Sequence, residues 1–270
     1  MLLETAGISK QIYFYEIKSM ERNYRKDDLI INAIKSIFYR HKERYGSPRI
    51  TQELKNEGIK INHKKVERLM KKIDIKARIK VHNYHSFKGE VGRICKNVLN
   101  RDFSTTKCYQ KLGTDITVFI GPWGKLYLSP IIDFHNREIL AYDLSEHPDF
   151  RQINRMFYDL YNKHGNHLQN AILHSDQGWQ YQMQKYREKL KELKMVQSMS
   201  RRGNCLDNSP TENFFGRMKE EMFYGYENTF KTINDLKKAI IDYIEYYNKY
   251  RIVSKIKMSP LKYKERVYNN

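Results

Sequence analysis

The sequence contains no stretch of about 18 consecutive apolar residues, which excludes a membrane-spanning helix. Its N-terminus also lacks a basic start followed by an apolar core, so no secretory signal is read and a cytoplasmic protein is expected. Cysteine is scarce: Cys95, Cys108 and Cys205 are an odd number at irregular spacing. No pair of them has the spacing of a zinc ligand set, and a reducing compartment leaves them as thiols. The close pair His164 and His167 has no second pair to complete a tetrahedral site, and it reads as a surface coincidence near a helix end. Disordered chains are poor in aromatics, whereas this one holds 21 Tyr and 12 Phe. Its 270 residues, 40% of them hydrophobic, suffice for two domains with packed cores.

Negative charge is also in short supply. Fifty Lys and Arg face 31 Asp and Glu, a net of +19, which favours a polyanionic partner through release of its counterions. Residues 1–104 carry 24 basic and 12 acidic residues, a net of +12, while the other 166 carry 26 and 19, a net of +7. The excess is densest at the N-terminal end, where a binding module would sit.

The first hundred residues have helical periodicity and no strand-like alternation. Ser9 can cap a helix running through Ile12, Tyr15 and Ile17, and residues 27–44 form a second pattern with Leu29, Ile30, Ala33, Ile34, Ile37 and Phe38 on one face. Tyr45-Gly46-Ser47-Pro48-Arg49 is a turn whose Pro begins a short helix, 49–57, ended by Gly58. Asn62 caps a helix over 63–73 with Val66, Leu69, Met70 and Ile73 inward and His63, Lys64, Lys65, Arg68, Lys71 and Lys72 outward. Two short helices around a Gly turn, the second strongly basic, fit a helix-turn-helix unit in which Lys64, Lys65 and Arg68 contact DNA. Residues 1–75 are therefore read as a small all-helical DNA-binding domain, and the basic, poorly periodic residues 76–108 as a linker.

From residue 109 the pattern changes. A strand is predicted from Leu112 to Ile120, a hairpin turn at Gly121-Pro122-Trp123-Gly124, and strands over Leu126–Phe134 and Glu138–Leu144. A helix at 151–164, a strand from Ala171 to His174, a helix at 182–194 and a strand from Met195 to Met199 follow. Helices near 210–225 and 233–248 close the chain. This α/β order resembles the ribonuclease-H-like fold: a mixed five-stranded sheet with flanking helices over 109–270, three antiparallel strands extended by parallel ones.

Three acids stand in unusual local settings. Asp115 lies inside a β-type run, Asp176 ends a strand before Gln177-Gly178, and Glu212 lies in the first turn of a helix that Pro210 begins. Each has an ordinary reading as an exposed strand residue, a turn former, or an acid favoured by the helix dipole. Together they suit a different task. Phosphodiester attack uses a pair of hard cations held by oxygen ligands, and Mg²⁺ needs only a few protein carboxylates. Carboxylates beside a DNA phosphate are tolerable only with such a metal bound.

The local phrases are distinctive: Leu112-Gly113-Thr114-Asp115-Ile116-Thr117, His174-Ser175-Asp176-Gln177-Gly178, and SMSRRGNCLDNSPTENFF from Ser198 to Phe215, with 35 residues between Asp176 and Glu212. Tyr45-Gly46, Arg49-Ile50 and Asn62-His63-Lys64 precede them, and Tyr246-Tyr247-Asn248, Arg251 and Met258-Ser259-Pro260 follow. In this order, over nearly the whole chain, they resemble the second reading frame of bacterial insertion-sequence-three transposases, whose core is similar to retroviral integrase. Trp179 stands where a small residue is more usual in that family, and Leu206 where an aromatic is.

The resemblance implies a DDE-type transposase, a polynucleotidyl transferase that cuts and joins DNA at insertion-sequence ends. Asp115, Asp176 and Glu212 would be its catalytic and metal-binding residues, with Mg²⁺ or Mn²⁺ as cofactor, in all two ions. Lys219, seven positions after Glu212 and on the same helix face, would hold a DNA phosphate. The implied partners are DNA, both element ends and target, further copies of the chain in a DNA complex, and an upstream-frame protein or fusion; a membrane is not among them. A catalytically silent DNA-binding regulator and a ribonuclease-H-like nuclease remain as alternatives.

Overall fold

The computed structural model describes residues 7, 9–78, 93–201 and 205–268. The chain divides into two compact units, Met1–Ile79 and Lys80–Asn270.

The first unit is helical. Helix α1, Lys10–Arg40, is a single helix where the periodicity suggested two patterns. No Gly or Pro falls between its ends to break it, and the Ser9 side chain caps it by accepting from the Ile12 N–H. It stops at Arg40, short of the expected 44, because Lys42 and Glu43 turn the backbone left-handed, at φ 52° and 62°. Leu29 is 71% exposed, contrary to expectation, and Ile31 is buried with Ile34, Ile37 and Phe38. The cause is rotational: five residues separate Leu29 from Ile34, about 140° around a helix.

Helix α2, Ser47–Asn56, begins with Pro48 in its first turn and is followed by Gly58 at φ 86°. Helix α3, His63–Lys72, is capped by Asn62, whose side chain accepts from the Lys64 N–H. Ile50, Leu54, Val66 and Leu69 are fully buried, and Tyr45 stacks on His41 at 3.9 Å. Ile73 is only half-buried.

In the second unit, residues read as linker are docked from Cys95 onward. The Cys95 N–H reaches Met199 Sδ, and Ser198 Oγ accepts from Val98 N at 2.9 Å. Leu99 and Cys108 are buried. The stretch is irregular, with turns near 98–101 and 106–110, and is held by individual hydrogen bonds, so it carries no periodicity for a sequence pattern to reveal.

The strands are β1 (Lys111–Thr114), β2 (Thr117–Gly121), β3 (Gly124–Asp133), β4 (Ile139–Ser145), β5 (Ile172–Ser175) and β6 (Val196–Met199). Strands β1 and β2 both run antiparallel to β3 in one continuous register, Thr114 opposite Ile131 and Thr117 opposite Leu128. They are two halves of the single strand expected over 112–120, interrupted at Asp115-Ile116. That register sets Asp115 opposite Pro130, which has no N–H to donate. The sheet therefore has five lanes: β4, β3, the β1/β2 pair, β5 and β6, the last two parallel to β1. Gly121 pairs with Gly124 across the expected hairpin, where Gly124 adopts φ 107°.

Helices cover both faces, and successive strand residues divide between them. Ile131, Leu112 and Leu173 pack with Ile153, Met156 and Phe157 of helix α4, Phe150–His164, and with Tyr181, Tyr186 and Leu190 of α5 (Trp179–Gln182) and α6 (Gln184–Glu192). Ile132, Phe119 and Leu128 pack on the opposite face with Phe214, Met218 and Ile240 of α7 (Ser209–Met222) and α8 (Ile233–Lys249). This is the mixed α/β sheet, three antiparallel lanes extended by parallel ones and flanked by helices, that the element order implied. Helix α9, Pro260–Tyr268, was not read as helical; its Lys264 donates to Glu138 and to the Tyr109 hydroxyl. Arg251 and Glu221 form a buried bidentate pair, at 2.6 and 2.8 Å, tying the chain after α8 to α7. No described helix is long and apolar enough to cross a membrane.

Candidate active site

The parallel register of β1 and β5 pairs Gly113 with His174. Asp115 and Asp176 each lie two residues further on, one residue past the ends of β1 and β5, so the register brings them out of neighbouring lanes side by side. Adjacent strands run about 4.8 Å apart, which makes the two carboxylates close neighbours by construction. The third acid arrives on a helix. The first turn of α7 crosses β1 at Gly113, where a Cβ would fall 2.7 Å from Thr211 Oγ1 and 2.4 Å from the Phe134 ring. Only Gly permits that approach, and Glu212 follows Thr211.

The two aspartate carboxylates are partly held. Asp115 is 9% exposed; one oxygen accepts the Ile116 N–H at 2.7 Å and the other the Asn208 side-chain amide at 3.2 Å. Asp176 accepts the Gly178 N–H at 2.8 Å. Burial raises the Asp115 carboxyl well above the usual range, with the charge of Asp176 and then of Glu212 adding to it. Burial raises Asp176, and burial followed by Asp176 raises Glu212. The three acids thus share one electrostatic field. Tyr181 lies in it too, 1% exposed, its hydroxyl towards Thr114 and its phenol pushed well above its ordinary value by burial and then by both aspartates.

Among the described residues no three or more His, Cys, Asp or Glu side chains stand close enough together to hold a metal ion as they are placed. The donor set still suits hard divalent cations. It is all carboxylate oxygen, and the mutual repulsion of the acids is what a bound cation relieves. Asp133, another buried acid, is separate: it pairs at the start of β1 with Leu112, its carboxyl is pushed up to about 6 by burial, and it accepts the Tyr109 and His135 N–H groups.

Lys219 is drawn into the site. Its ammonium donates to the Val118 carbonyl at 2.9 Å above the Phe119 ring, and burial lowers its pKa to about 8 while Asp115 opposes the fall. In this arrangement the ammonium lies beside Asp115, on the helix that carries Glu212. In the first unit Lys64 is exposed, but Lys65 and Arg68 both pair with Asp27 of α1, at 2.7 and 2.9 Å. His164 and His167 flank Tyr109; His167 stacks on its ring at 4.7 Å and His164 Nδ1 lies 3.2 Å from its hydroxyl. Cys95 and Cys108 are free thiols.

Sequence reasoning assigned no role to Asp207 and Asn208, although both stand in the quoted phrase before Glu212. A buried Asp-Asn pair and an exposed turn read alike in sequence. Asp207 is fully buried and accepts from Asn97, Arg101 and Arg201. Trp179, the departure noted beside Asp176, is 38% exposed at the start of α5.

A family model for an HTH-like domain matches residues 25–82, and two models for an integrase core domain match 105–205 and 212–268. The putative transposase InsK for insertion sequence element IS150 of Escherichia coli (strain K12) is 44% identical over 99% of this chain and 93% of its own length. An uncharacterized transposase-like protein of Haemophilus influenzae is 50% identical over 79% of this chain and 97% of its own. The catalytic core domain of HTLV-2 integrase, solved in complex with magnesium, is similar at a TM-score of 0.47 and 12% identity, over 58% of this chain and 96% of that one.

Proposed function

The chain belongs to the insertion-sequence-three family of transposases, with an HTH-like domain and an integrase core, and from that premise we propose that it cuts DNA at the ends of its element and joins them to a target. Asp115, Asp176 and Glu212 would hold Mg²⁺ or Mn²⁺, two ions in the full site. Bound there, the ions supply activation of the attacking oxygen and charge relief at the leaving one.

In this reading water opens the phosphodiester at the element end, and the freed 3′-hydroxyl displaces the 3′-oxygen of a target phosphodiester. One P–O bond forms for each that breaks, so joining needs no nucleoside triphosphate. The chain's own groups prepare the site. Asn208 and the Ile116 N–H fix the Asp115 carboxylate in one orientation, and Lys219 offsets part of its charge. Tyr181 is buried, and the charges of Asp115 and Asp176 add to the rise of its phenol. Transfer would be direct and in line, without a covalent enzyme intermediate.

Residues 1–75 are assigned to DNA binding, 76–108 to the connection and 109–270 to the catalytic core. Element end and target must reach one site, which calls for assembly of several copies on DNA, with an upstream-frame protein or fusion as a further partner. The observation that carries the reading is the register Gly113 to His174, since it makes neighbours of two acids 61 positions apart in sequence.

The test is strand transfer of labelled element-end DNA in Mg²⁺, beside a gel shift of the same DNA. Asp115→Asn, Asp176→Asn and Glu212→Gln are expected to abolish cutting and joining while binding persists. Joining by Asp176→Asn at the parent's rate would remove the assignment; cut but never joined ends would indicate a nuclease.

A further inference from the structure

Asp207 is fully buried, yet two arginines converge on it. Arg201 grips it side-on, Nε to one carboxylate oxygen and an η nitrogen to the other, both at 2.9 Å. Its backbone N–H adds a bond at 3.0 Å. Arg101 donates only through Nε, at 2.9 Å, and Asn97 completes the set at 3.0 Å. One bidentate arginine already neutralises a carboxylate. The second is surplus as an ion-pair partner, and it leaves one net positive charge held in fixed geometry.

The outer halves of both guanidiniums face solvent, with the side chains 45% and 49% exposed. A guanidinium carries five N–H donors. Both η nitrogens of Arg101 and one of Arg201 make no hydrogen bond to the described residues. Asn100 and Arg101 also hold left-handed backbone, φ 43° and 65°, in the turn that presents the Arg101 side chain. The location matters as much as the chemistry. Asn208, next to Asp207 in the chain, donates to Asp115.

We propose that Arg101 and Arg201, fixed on Asp207, form a phosphate-gripping subsite that receives the DNA backbone beside the acidic site. Asp207 removes the rotamer freedom that an exposed arginine must otherwise lose on binding, so the pair meets phosphate already ordered. It also couples binding to geometry: phosphate drawn to the arginines lies against the turn that carries Asn208 and leads into the helix of Glu212. The subsite rests on the reading of DNA as substrate but not on the chemistry of the acids.

The experiment uses the full chain carrying Asp176→Asn, in EDTA, so that nothing is cut. Anisotropy of a labelled duplex with a free 3′ end is followed as salt rises. Each phosphate neutralised contributes about 0.9 to the log–log slope. Arg101→Gln leaves the Arg201 grip on Asp207 intact and is expected to lower the slope by about that amount, and Arg101→Lys to retain it. Arg101→Ala with Arg201→Ala is expected to lower it at least as much, since the pair with Asp207 carries one net positive charge. Should the double variant lose its cooperative melt, the single Gln and Lys variants decide alone. A parent-like slope in folded Arg101→Gln, or equal loss in the Gln and Lys variants, overturns the subsite. Neither result touches the acidic triad, which is judged by joining.

Discussion

The side-chain amide of Asn208 donates to Asp115 Oδ2 at 3.2 Å, a contact across 93 positions of sequence. It links the turn that feeds Glu212 to the break between β1 and β2, so one side chain sets two of the three acids relative to each other.

Removing that link should act on catalysis more than on folding. Groups that orient metal-binding carboxylates change affinity or activity by about 10- to 100-fold. Asn208→Ala is expected to lower joining within that range and to raise the Mg²⁺ concentration for half-maximal rate, with the melting temperature little changed. Parent-like Mg²⁺ dependence would reduce Asn208 to a packing role.

Gly113→Ala tests the helix crossing. A Cβ would fall 2.4 Å from Phe134 and 2.7 Å from Thr211 Oγ1, so α7 or the Phe134 ring must shift. Overpacking of this kind costs about 1–3 kcal/mol, measurable as a lower urea midpoint. Joining should fall further than stability alone explains, because Glu212 moves with the helix. A variant as stable and active as the parent would mean that α7 is loosely seated.

The buried acids make the metal-free protein sensitive to pH in a definite direction. The Asp115 carboxyl is raised well above its ordinary value, chiefly by burial and the charge of Asp176. A raised folded-state pKa gives stability that is complete below the unfolded value, near 4, and is lost as pH rises through the folded one. In EDTA, Asp115→Asn should therefore melt above the parent, by a margin that widens from about pH 5 upward. Mg²⁺ should narrow it by stabilising the parent. Parallel melting curves for the two proteins across this range, with and without Mg²⁺, would contradict a shared acidic field.

The basic face of α3 divides into two classes. Lys65 and Arg68 pair with Asp27, whereas Lys64 is exposed. Lys64→Ala should flatten the salt dependence of DNA binding by about 0.9, the share of one neutralised phosphate. Arg68→Ala should alter that slope less and cost at most about 1 kcal/mol of stability, the scale of an exposed ion pair. The reverse ranking in salt titrations would mean that Asp27 yields both cations to DNA.

Much of the local structure was legible in sequence because it depends on residues within one turn or one pleat. Ser9 and Asn62 cap the helices they precede, Pro48 opens α2, and the hairpin turns between Gly121 and Gly124. The α/β order was readable for the same reason, as were Asp176 at a strand end and Glu212 at a helix start, whereas the strand break at Asp115 was not, because it lies in an unbroken β-type run of sequence. Other decisions were made in three dimensions. Pairing β1 with β5 made neighbours of Asp115 and Asp176, and the missing side chain of Gly113 let in the helix of Glu212. Packing also turned Lys219 onto Val118, gave Lys65 and Arg68 to Asp27, and buried Asp207 beneath two arginines. A periodic pattern records which face of an element is apolar. It holds no record of which distant charge that face will meet, because that meeting exists only once the elements have packed.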